Sequence, residues 1–489
     1  MNRITIDPIT RLEGHGKIEI FLDDKGEVQD AYLQVPELRG FEKFCEGRKA
    51  EDMPQLTSRI CGVCPVAHHF AATKALDMAF GVEPTSVAKK LRELIYCGYI
   101  IYDHILHFYF LGGPDFIVGP TAPKEKRNII GVIEKVGLEL ANEVIKHRAY
   151  GQKMTEILGG KPTHPVCGLP GGLTKPLSKE DKLEMEKMAQ SCYQFALKSL
   201  EIFHKTVLEN PTYMALIVNP ALSLSVYNMG LVDEKNRVNF YDGMVRVTDP
   251  KGKEYVKFHP SDYLNHIAEE VLEWSYVKVP YLKNIGYKGL KDGMDSGIYR
   301  VGPLGRLNAA DGMATPKAQE EYELMYQTFQ TKPVHSTLAY HWARLIELLY
   351  ATERALELLA DSDITDPNIR NMNFKFQKTG IGIVEAARGT LIHHYEVTED
   401  MLIKKVNLIV ATTNNNGTIN MSIRNAARQF IRNNNINQPD LVDGILNSIE
   451  MFFRAYDPCF ACASHTLGTI HLQINIYDQD KNLVTSISR

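Results

Sequence analysis

The chain has 489 residues, of which 44% are hydrophobic and 23% are charged. These values are typical of a soluble globular protein, and they exclude a disordered, fibrous or low-complexity chain. Lys and Arg total 55 against 59 for Asp and Glu, so the formal net charge of -4 gives no electrostatic reason to expect a nucleic acid or an anionic membrane as a partner.

The first residues predict a small α+β region over 1–50. Apolar and polar residues alternate in Arg3–Ile6 and Lys17–Ile20, and a further strand is predicted through Ala31–Val35. The N-terminus lacks the apolar stretch of a secretory signal and the Arg- and Ser-rich character of a transit peptide. We therefore expect a cytoplasmic protein, unless an export signal on a partner subunit carries this chain.

Three apolar stripes predict long buried helices. The first has a hydroxyl cap at Thr85 or Ser86 and includes Gly98, which indicates a close helix contact. The second begins at Ser178 with a near-complete capping box, and the third covers about 336–359. We interpret all three stripes as core.

The most apolar region, 94–111, is interrupted by Asp103, His104 and His107. No segment therefore approaches the roughly 20 apolar residues of a membrane span. His104 and His107 are interpreted as core residues or neighbours of a site, since no thiolate shares their helical face.

The segment 224–303 changes to short alternating runs with Gly and Pro turns, which predicts a strand-rich insertion. Internal repeats and linker-like tracts are absent from the sequence. The predicted fold is mainly α, a long-helix bundle core with a small N-terminal α+β region and a strand-containing insertion. The helical core comprises 51–223 with the first cysteine pair and 304–465 with the second.

Eight cysteines are too few for a disulfide scaffold, but four of them form two Cys-x-x-Cys pairs near opposite ends of the chain. The pairs are Cys61 with Cys64, and Cys459 with Cys462. Three alternatives to a catalytic metal stay open: a structural zinc site, whose pairs usually lie within roughly 15 to 20 residues, a thioredoxin-like redox pair, and buried unliganded thiols.

The residues beside the pairs favour a redox-active metal. Arg59 and His68 flank the first pair, and Asp457 and His465 flank the second, as supporting groups around metal ligands do. Soft thiolates suit nickel, iron or copper(I), and two pairs can hold two metals if one sulfur of each pair bridges them.

Two complete motifs resemble those of the large subunit of a nickel-iron hydrogenase. They are Arg-x-Cys-Gly-x-Cys-x-x-x-His at 59–68 and Asp-Pro-Cys-x-x-Cys-x-x-His at 457–465. The resemblance implies that Cys61 and Cys459 are terminal nickel ligands and that Cys64 and Cys462 bridge nickel and iron. It also implies cyanide and carbon monoxide on the iron, with Asp457 and His68 among the catalytic groups.

Further segments resemble elements of the same family. In Arg11–His15, Glu13 would relay protons from a terminal cysteine, the alternative being a strand-end salt bridge. In Arg39–Glu42, Glu42 would bind magnesium together with His465 and the backbone carbonyl of Leu408, the alternative being a solvated charge.

Two more segments resemble the surroundings of the metals. Arg388 in Glu385–Gly389 would lie over the open metal position, or would pair structurally, and Asp115 aligns with an acid near that arginine. Ala411 and Thr412 lie in the loop that would hydrogen-bond the diatomic ligands of the iron, although many members have Pro where this chain has Ala387 and Ala411.

The resemblance implies reversible heterolytic cleavage of dihydrogen, which needs a metal and a neighbouring base. A cysteine sulfur or Arg388 would take the proton and Glu13 would pass it outward. The other four cysteines, Cys45, Cys97, Cys167 and Cys192, lack the spacing of an iron-sulfur cluster. Electrons would therefore leave through an iron-sulfur small subunit.

The soluble multi-subunit group is the nearest match, especially the methyl-viologen-reducing type linked to heterodisulfide reductase. Deazaflavin-, NAD-linked and electron-bifurcating relatives are alternatives for the further electron-transfer partners. A non-catalytic subunit, like that of respiratory complex I, is the second class of function, but such relatives lack the cysteine pairs.

The C-terminal extension, 466–489, alternates around a polar turn and predicts a β-hairpin. In most family members a maturation protease cuts after the last histidine of the second motif. The extension is therefore either removed or retained, and a retained hairpin is predicted to pair with the N-terminal strands.

Overall fold

The computed structural model describes residues 2–431, 439–465, 473–477 and 483–488. About 48% of the chain is helical and 18% is strand, spread over several small sheets. The fold is therefore mixed α/β, and the predicted mainly α class understates its sheet content.

The helices are α1 (Phe41–Cys45), α2 (Met53–Ser58), α3 (Pro65–Ala79), α4 (Ser86–Leu106), α5 (Pro114–Ile117), α6 (Ile129–Gly159), α7 (Lys179–Phe203), α8 (Pro211–Ile217), α9 (Gly302–Ala309), α10 (Pro316–Phe329), α11 (Tyr340–Ala360), α12 (Ala411–Phe430) and α13 (Pro439–Ala455). The strands are β1 (Asn2–Ile6), β2 (Lys17–Leu22), β3 (Val28–Gln34), β4 (Gly168–Leu169), β5 (Gly172–Leu173), β6 (Tyr227–Val232), β7 (Met244–Thr248), β8 (Glu254–Phe258), β9 (Ile267–Glu270), β10 (Val279–Leu282), β11 (Tyr299–Arg300), β12 (Thr379–Ala386), β13 (Gly389–Val397), β14 (Ile403–Ile409), β15 (Gln473–Tyr477) and β16 (Leu483–Ser488).

The helical core is built from α4, α6, α7 and α11, with α4 packed against both α6 and α11. Thr85 and Ser178 cap α4 and α7 through their side-chain oxygens, as predicted. A Cβ atom on Gly98 of α4 would lie 3.0 Å from the carbonyl oxygen of Gly151 on α6. The two glycines therefore allow direct backbone contact, which confirms the predicted close approach.

The apolar helix Ser86–Ile117 extends α4 through a π-helical turn. Contrary to the prediction that no segment approaches a membrane span, this helix is long and apolar enough for one, but 83% of its most apolar part is buried inside the protein. It also carries Asp103, His104 and His107, all fully buried. Burial of this kind is typical of the core helix of a soluble protein.

Small antiparallel sheets surround the helices where alternation predicted strands. β1, β2 and β3 form one sheet in that order. Strands β6 to β11 all lie within the predicted insertion and form two sheets, β11-β6-β7-β8 and β9-β10, in which only β11 and β6 run parallel.

The sheet β12-β13-β14 lies in a segment predicted to be helical, and this is the main difference from the predicted fold. All but the first residue of β12 is buried, so the strand has no period-two alternation to mark it. Cβ atoms on Gly380 and Gly382 would lie 2.1 and 2.0 Å from carbonyl oxygens of α3. These glycines let α3 lie directly on the sheet.

The C-terminal strands β15 and β16 pair with each other in an antiparallel hairpin, as predicted. Among the described residues this hairpin is a separate two-stranded sheet and does not extend β1–β3. The predicted pairing with the N-terminal strands is therefore wrong for this part of the chain, and the predicted turn lies outside the described residues.

Candidate active site

Four buried cysteine thiols meet at one point, although they come from opposite ends of the chain. The Cys61 and Cys459 sulfur atoms lie 3.4 Å apart, and those of Cys64 and Cys462 lie 3.3 Å apart. All four sulfurs lie within 4.8 Å of one another, and none of these residues is more than 4% exposed. The two pairs therefore form one site. A thioredoxin-like redox pair uses a single Cys-x-x-Cys and gives no reason for the second pair to lie beside it.

Two loops bring the thiols together. The first pair lies between α2 and α3, where Cys64 precedes Pro65 at the start of α3, and the second pair follows the end of α13. The backbone N–H groups of Val63 and Cys64 donate to the Cys61 sulfur at 3.2 and 3.4 Å. A helix start and two N–H donors thus favour negative charge on this side of the site.

The thiols do not ionise equally. Hydrogen bonds from the other cysteine thiols, first that of Cys459, lower the pKa of Cys61 well below its ordinary range. Burial raises the pKa of Cys459 and Cys462 well above theirs. All four can become thiolates together only with a cation among them, because a coordinated thiol is deprotonated by its metal. The donor set therefore fits a centre of soft transition metals.

Glu13 contacts the site directly. The Cys459 thiol donates to the Glu13 Oε2 atom at 2.9 Å, and the Ala461 N–H donates to the same oxygen at 3.1 Å. Burial raises the pKa of the Glu13 carboxyl, and the charge of Cys61 adds to this shift. Among the described residues Glu13 forms no salt bridge, so the alternative of a strand-end ion pair finds no support.

Arg388 is at the tip of the β12–β13 hairpin and lies between two buried carboxylates. Its Nη1 atom is 3.1 Å from Asp103 Oδ2, and its Nη2 atom is 3.0 Å from Asp457 Oδ2. Burial lowers the pKa of Arg388, but Asp103 and Asp457 outweigh this and hold it well above its ordinary value. The guanidinium therefore keeps its charge although it is almost fully buried.

Asp115 lies in a different ion-pair cluster. Its carboxylate accepts from Arg11 at 2.5 Å and from the Nε and Nη2 atoms of Arg454 at 2.9 and 3.0 Å. The acid of this apolar helix that pairs with Arg388 is Asp103, which lies earlier in the helix than Asp115. This corrects the assignment of Asp115 as the acid that accompanies Arg388.

His68 lies on α3 behind the thiols and is fully buried. Its Nδ1 atom is 3.1 Å from the Nε2 atom of His393 on β13, and its own Nε2 atom has no protein partner among the described residues. Burial lowers the pKa of His68 to about 4, so the ring is neutral near pH 7.

Ala411 and Thr412 form the first turn of α12, which points toward the second cysteine pair. The Thr412 hydroxyl oxygen accepts a hydrogen bond from the Cys459 N–H at 3.0 Å, and Ala411 is buried beside it. The hydroxyl therefore keeps its own O–H for donation to another group.

Glu42, Leu408 and His465 come together beside the thiols. The Glu42 Oε1 atom accepts from the Leu408 N–H at 2.8 Å, and the Glu42 N–H donates to the His465 carbonyl at 3.4 Å. The Nε2 atom of His465 lies against the Cys462 carbonyl, while its Nδ1 atom is buried without a protein partner in the described chain. A buried imidazole nitrogen without a protein partner, in a cluster that also contains a carboxylate, fits a cation site.

An open groove of about 780 Å³ reaches the site from the surface. Its walls include Glu13, Arg39 and Arg59, together with Gly62 of the first cysteine loop. The groove gives Glu13 a route to solvent.

Sequence reasoning missed three side chains that the structure brings to the site. Asp103 and His393 contact predicted site residues directly, and Arg306 contacts the hairpin turn below Arg388. The signal in the sequence was a charged or imidazole group inside an otherwise apolar segment. Such a group needs a buried partner, but the sequence does not say which one.

Comparison with known proteins gives one consistent family. Residues 39–128 and 222–465 match the family described as nickel-dependent hydrogenase, and residues 3–38 match a family described as HoxL-like. The iron-sulfur subunit of the F420-non-reducing hydrogenase of Archaeoglobus profundus is 46% identical over 488 residues, which cover 100% of this chain and 99% of that protein. The corresponding F420-non-reducing hydrogenase chain of Methanothermobacter thermautotrophicus is 41% identical over 100% of both chains.

Solved structures share the fold. A NAD+-reducing [NiFe]-hydrogenase in the H2-reduced state superimposes with a TM-score of 0.88 at 37% identity, over 95% of this chain and 100% of that chain. The Ni-Fe-Se hydrogenase from D. vulgaris Hildenborough in the reduced state superimposes with a TM-score of 0.74 at 25% identity, again over 95% and 100%.

Proposed function

The chain belongs to the nickel-dependent hydrogenase family as a large subunit, and from this premise we propose how its own residues hold the metals and move protons. It is a catalytic subunit that oxidises dihydrogen reversibly to protons and electrons, and its relatives match the methyl-viologen-reducing type. This function is supported over the non-catalytic and structural-zinc alternatives.

One observation carries the proposal: four thiols from two distant motifs converge within 4.8 Å, with Glu13 and Arg388 beside them. A structural zinc site needs neither a carboxyl that contacts a thiol nor a buried guanidinium. Both groups are useful where a proton is removed from a substrate and charge develops in a dry cavity.

The four thiolates would hold the nickel-iron centre. Cys61 and Cys459 are the proposed terminal nickel ligands, and Cys64 and Cys462 are the proposed bridging ligands, whose sulfurs lie 3.3 Å apart. When bound, the centre supplies the electron acceptance and Lewis acidity on which heterolytic cleavage of dihydrogen depends. The proposed cyanide and carbon monoxide would lie near Ala411 and the Thr412 hydroxyl.

Proton movement is assigned to groups that are already in contact. The Cys459 sulfur would take the proton released from dihydrogen and pass it to Glu13 Oε2 along their 2.9 Å hydrogen bond. The raised pKa of the Glu13 carboxyl makes it a better proton acceptor, as a relay between the Cys459 sulfur and solvent requires. Glu13 then releases the proton into the open groove that it lines.

Arg388 would direct its charge at the open metal position. Asp103 and Asp457 hold the guanidinium from both terminal nitrogens, so its direction is fixed before dihydrogen arrives. His68, neutral and bonded to His393, would position the first cysteine loop from behind.

A magnesium ion is the proposed occupant of the cluster of Glu42, the Leu408 carbonyl and His465. Oxygen ligands and a carboxylate suit this hard cation, and the orphaned Nδ1 atom of His465 offers a nitrogen. The ion would tie β14 and α1 to the end of the second cysteine motif.

Electrons need a second chain. In the part of the chain that the structure describes, Cys61, Cys64, Cys459 and Cys462 form the one group of three or more Cys, His, Asp or Glu side chains close enough to hold a metal, and no second cluster of cysteines is present there. We therefore propose that the first electron acceptor is an iron-sulfur small subunit, with heterodisulfide reductase or a flavin- or NAD-linked protein beyond it. The complex would be cytoplasmic, and a maturation protease would act on 466–489.

Metal analysis of the purified complex tests this proposal. We expect about one nickel per copy of this chain, as two metals shared by four thiolates require, with cyanide and carbon monoxide bands in the infrared. Zinc at full occupancy, or nickel without those bands, would contradict the proposed centre. Mass spectrometry of the active chain would show whether it ends at His465.

A further inference from the structure

We propose that Arg306 is a positioning residue for the reaction: it fixes the hairpin turn that presents Arg388, and thereby the direction of the Arg388 guanidinium. This inference rests on the role proposed above for Arg388. Arg306 lies on α9, is fully buried, and does not itself contact the thiols in the described structure.

Every N–H donor of Arg306 has an acceptor. Its Nε and Nη2 atoms donate to the two carboxylate oxygens of Glu347 at 2.6 and 2.7 Å, and its Nη1 atom donates to Glu385 Oε2 at 2.8 Å. The remaining two donors bind backbone carbonyls, Ala386 at 2.7 Å and Ala387 at 3.1 Å. These are the two carbonyls that immediately precede Arg388.

The turn has little preference of its own for this conformation. Ala386 pairs with Gly389, so Ala387 and Arg388 form a two-residue hairpin loop. The favoured two-residue loops need positive φ at one or both loop positions, but here the positive φ, +139°, falls on Gly389 outside the loop. Contacts from outside the hairpin must therefore hold the turn.

Other elements bind two further polar groups of the turn. The Ala387 N–H donates to the Tyr99 hydroxyl on α4 at 2.9 Å, and the Asn415 amide on α12 donates to the Arg388 carbonyl at 3.3 Å. Arg306 supplies two of the four hydrogen bonds and is the only charged group among these donors and acceptors. It is consequently the side chain whose loss should move Arg388 most.

The guanidinium fork cannot be replaced by an ammonium group. Glu347 and Glu385 are both fully buried, and each pairs with the Arg306 guanidinium and orients its donors. A lysine would keep the charge but has three donors on one atom, so it cannot reach both carboxylates and both carbonyls at once. Arg306→Lys therefore tests positioning with little change in net charge.

The experiment compares Arg306→Lys with Arg92→Lys in the intact complex. Arg92 is a matched control, since it is also fully buried, binds the Asp77 carboxylate, and donates to two backbone carbonyls, those of Leu169 and Gly172. We expect Arg306→Lys to lower kcat per bound nickel by roughly 100-fold with an unchanged KM for dihydrogen, the loss that a misplacement of about 1 Å can cause. Arg92→Lys should lower stability and leave kcat per nickel near the wild-type value.

A double-mutant cycle separates positioning from general damage. If Arg306 acts through Arg388, Arg306→Lys should cost little further activity in an Arg388→Lys background. If the activity losses of Arg306→Lys and Arg388→Lys add in the double mutant, the inference about Arg306 is overturned, but the role proposed for Arg388 is not. Equal kcat values for Arg306→Lys and Arg92→Lys would have the same meaning. Wild-type activity of Arg388→Lys would instead overturn the role proposed for Arg388.

If the Arg306→Lys variant does not assemble, Tyr99→Phe provides a second test of whether contacts to the hairpin turn position Arg388. It removes one contact to the Ala387 N–H, so we expect a smaller loss of kcat, again without a change in KM. Tyr109→Phe, which loses a buried hydroxyl bonded to Ser199, is its control. Equal activities of the two phenylalanine variants would count against the positioning role.

Discussion

The Arg388 guanidinium and the Asp103 carboxylate lie 3.1 Å apart in the buried interior, although the two residues are 285 positions apart in the chain. Asp457 holds the other side of the same guanidinium at 3.0 Å. Three elements that meet only in the folded protein, α4, the β12–β13 hairpin and the second cysteine loop, therefore determine where this charge points.

Asp103→Asn should lower activity more than Asp115→Asn does. Removal of the Asp103 charge frees one side of Arg388, and we expect kcat per nickel to fall on the order of 100-fold, as for loss of one preorganised electrostatic contact. Asp115→Asn removes the carboxylate that pairs with Arg11 and leaves Arg454 with Glu450 alone, and it should cost about 3 to 5 kcal/mol of stability. Hydrogen oxidation assays and thermal unfolding of both variants measure these effects. A larger loss of activity in Asp115→Asn than in Asp103→Asn would contradict the assignment of Asp103 as the acid that holds Arg388.

Glu13→Gln should block proton transfer without loss of the metals. The amide retains the shape of the carboxyl but cannot accept the Cys459 proton, so exchange of dihydrogen with deuterated water should slow by roughly 100-fold or more. Nickel and iron contents and the infrared bands should match the wild type. Normal exchange in this variant would mean that protons leave by another route.

Cys64→Ser should lose the metal centre, whereas Cys97→Ser should keep it. Cys64 contributes one of the four converging thiols, and Cys97 is a buried thiol that belongs to no ligand group in the described residues. Metal binding stabilises the folded state, so the first variant should melt at a lower temperature and contain little nickel. Full nickel occupancy in Cys64→Ser would remove that residue from the ligand set.

Acid should destabilise the protein partly through His69. Its Nδ1 atom bonds to the Pro54 carbonyl and its Nε2 atom accepts the Gly168 N–H at 2.8 Å, so the fold requires the neutral ring. Burial lowers the pKa of His69 from 6.5 to about 4. Below pH 6.5 the unfolded chain binds a proton that the folded chain does not, and stability falls until about pH 4.

The loss attributable to His69 would be about 3 kcal/mol at most. His69→Gln can donate to one group and accept from the other but does not titrate, so its stability should vary less between pH 6.5 and 4. If the free energy of unfolding varied with pH in the same way for the wild type and His69→Gln, His69 would not contribute to the loss of stability in acid.

Gly151→Ala should destabilise the helical core although alanine favours helices. The new Cβ would lie 2.8 Å from the Gly98 carbonyl oxygen and 2.9 Å from the Tyr102 nitrogen, both backbone atoms that cannot turn away. Overpacking of this kind costs about 1 to 3 kcal/mol, which exceeds the gain of about 1 kcal/mol in helix propensity. Chemical denaturation measures the difference, and a stabilised variant would show that α4 and α6 separate easily.

The sequence by itself determined the donor set, the family and three of the long helices, α4, α7 and α11. Two complete thiolate motifs need no tertiary knowledge to be recognised, and the caps at Thr85 and Ser178 depend only on local hydrogen bonds. Alternation likewise marked β1 to β3, because one face of an exposed sheet is polar.

The tertiary structure alone decided which buried charges meet. β12 is buried on both faces and has no alternation, so the sheet that carries Arg388 was not evident from sequence. Asp103 and Asp115 are both acids near one apolar helix, and only the crossing of α4 with the β12–β13 hairpin selects Asp103. Pairing of buried charges depends on distances across the core, and the local sequence around each residue does not contain them.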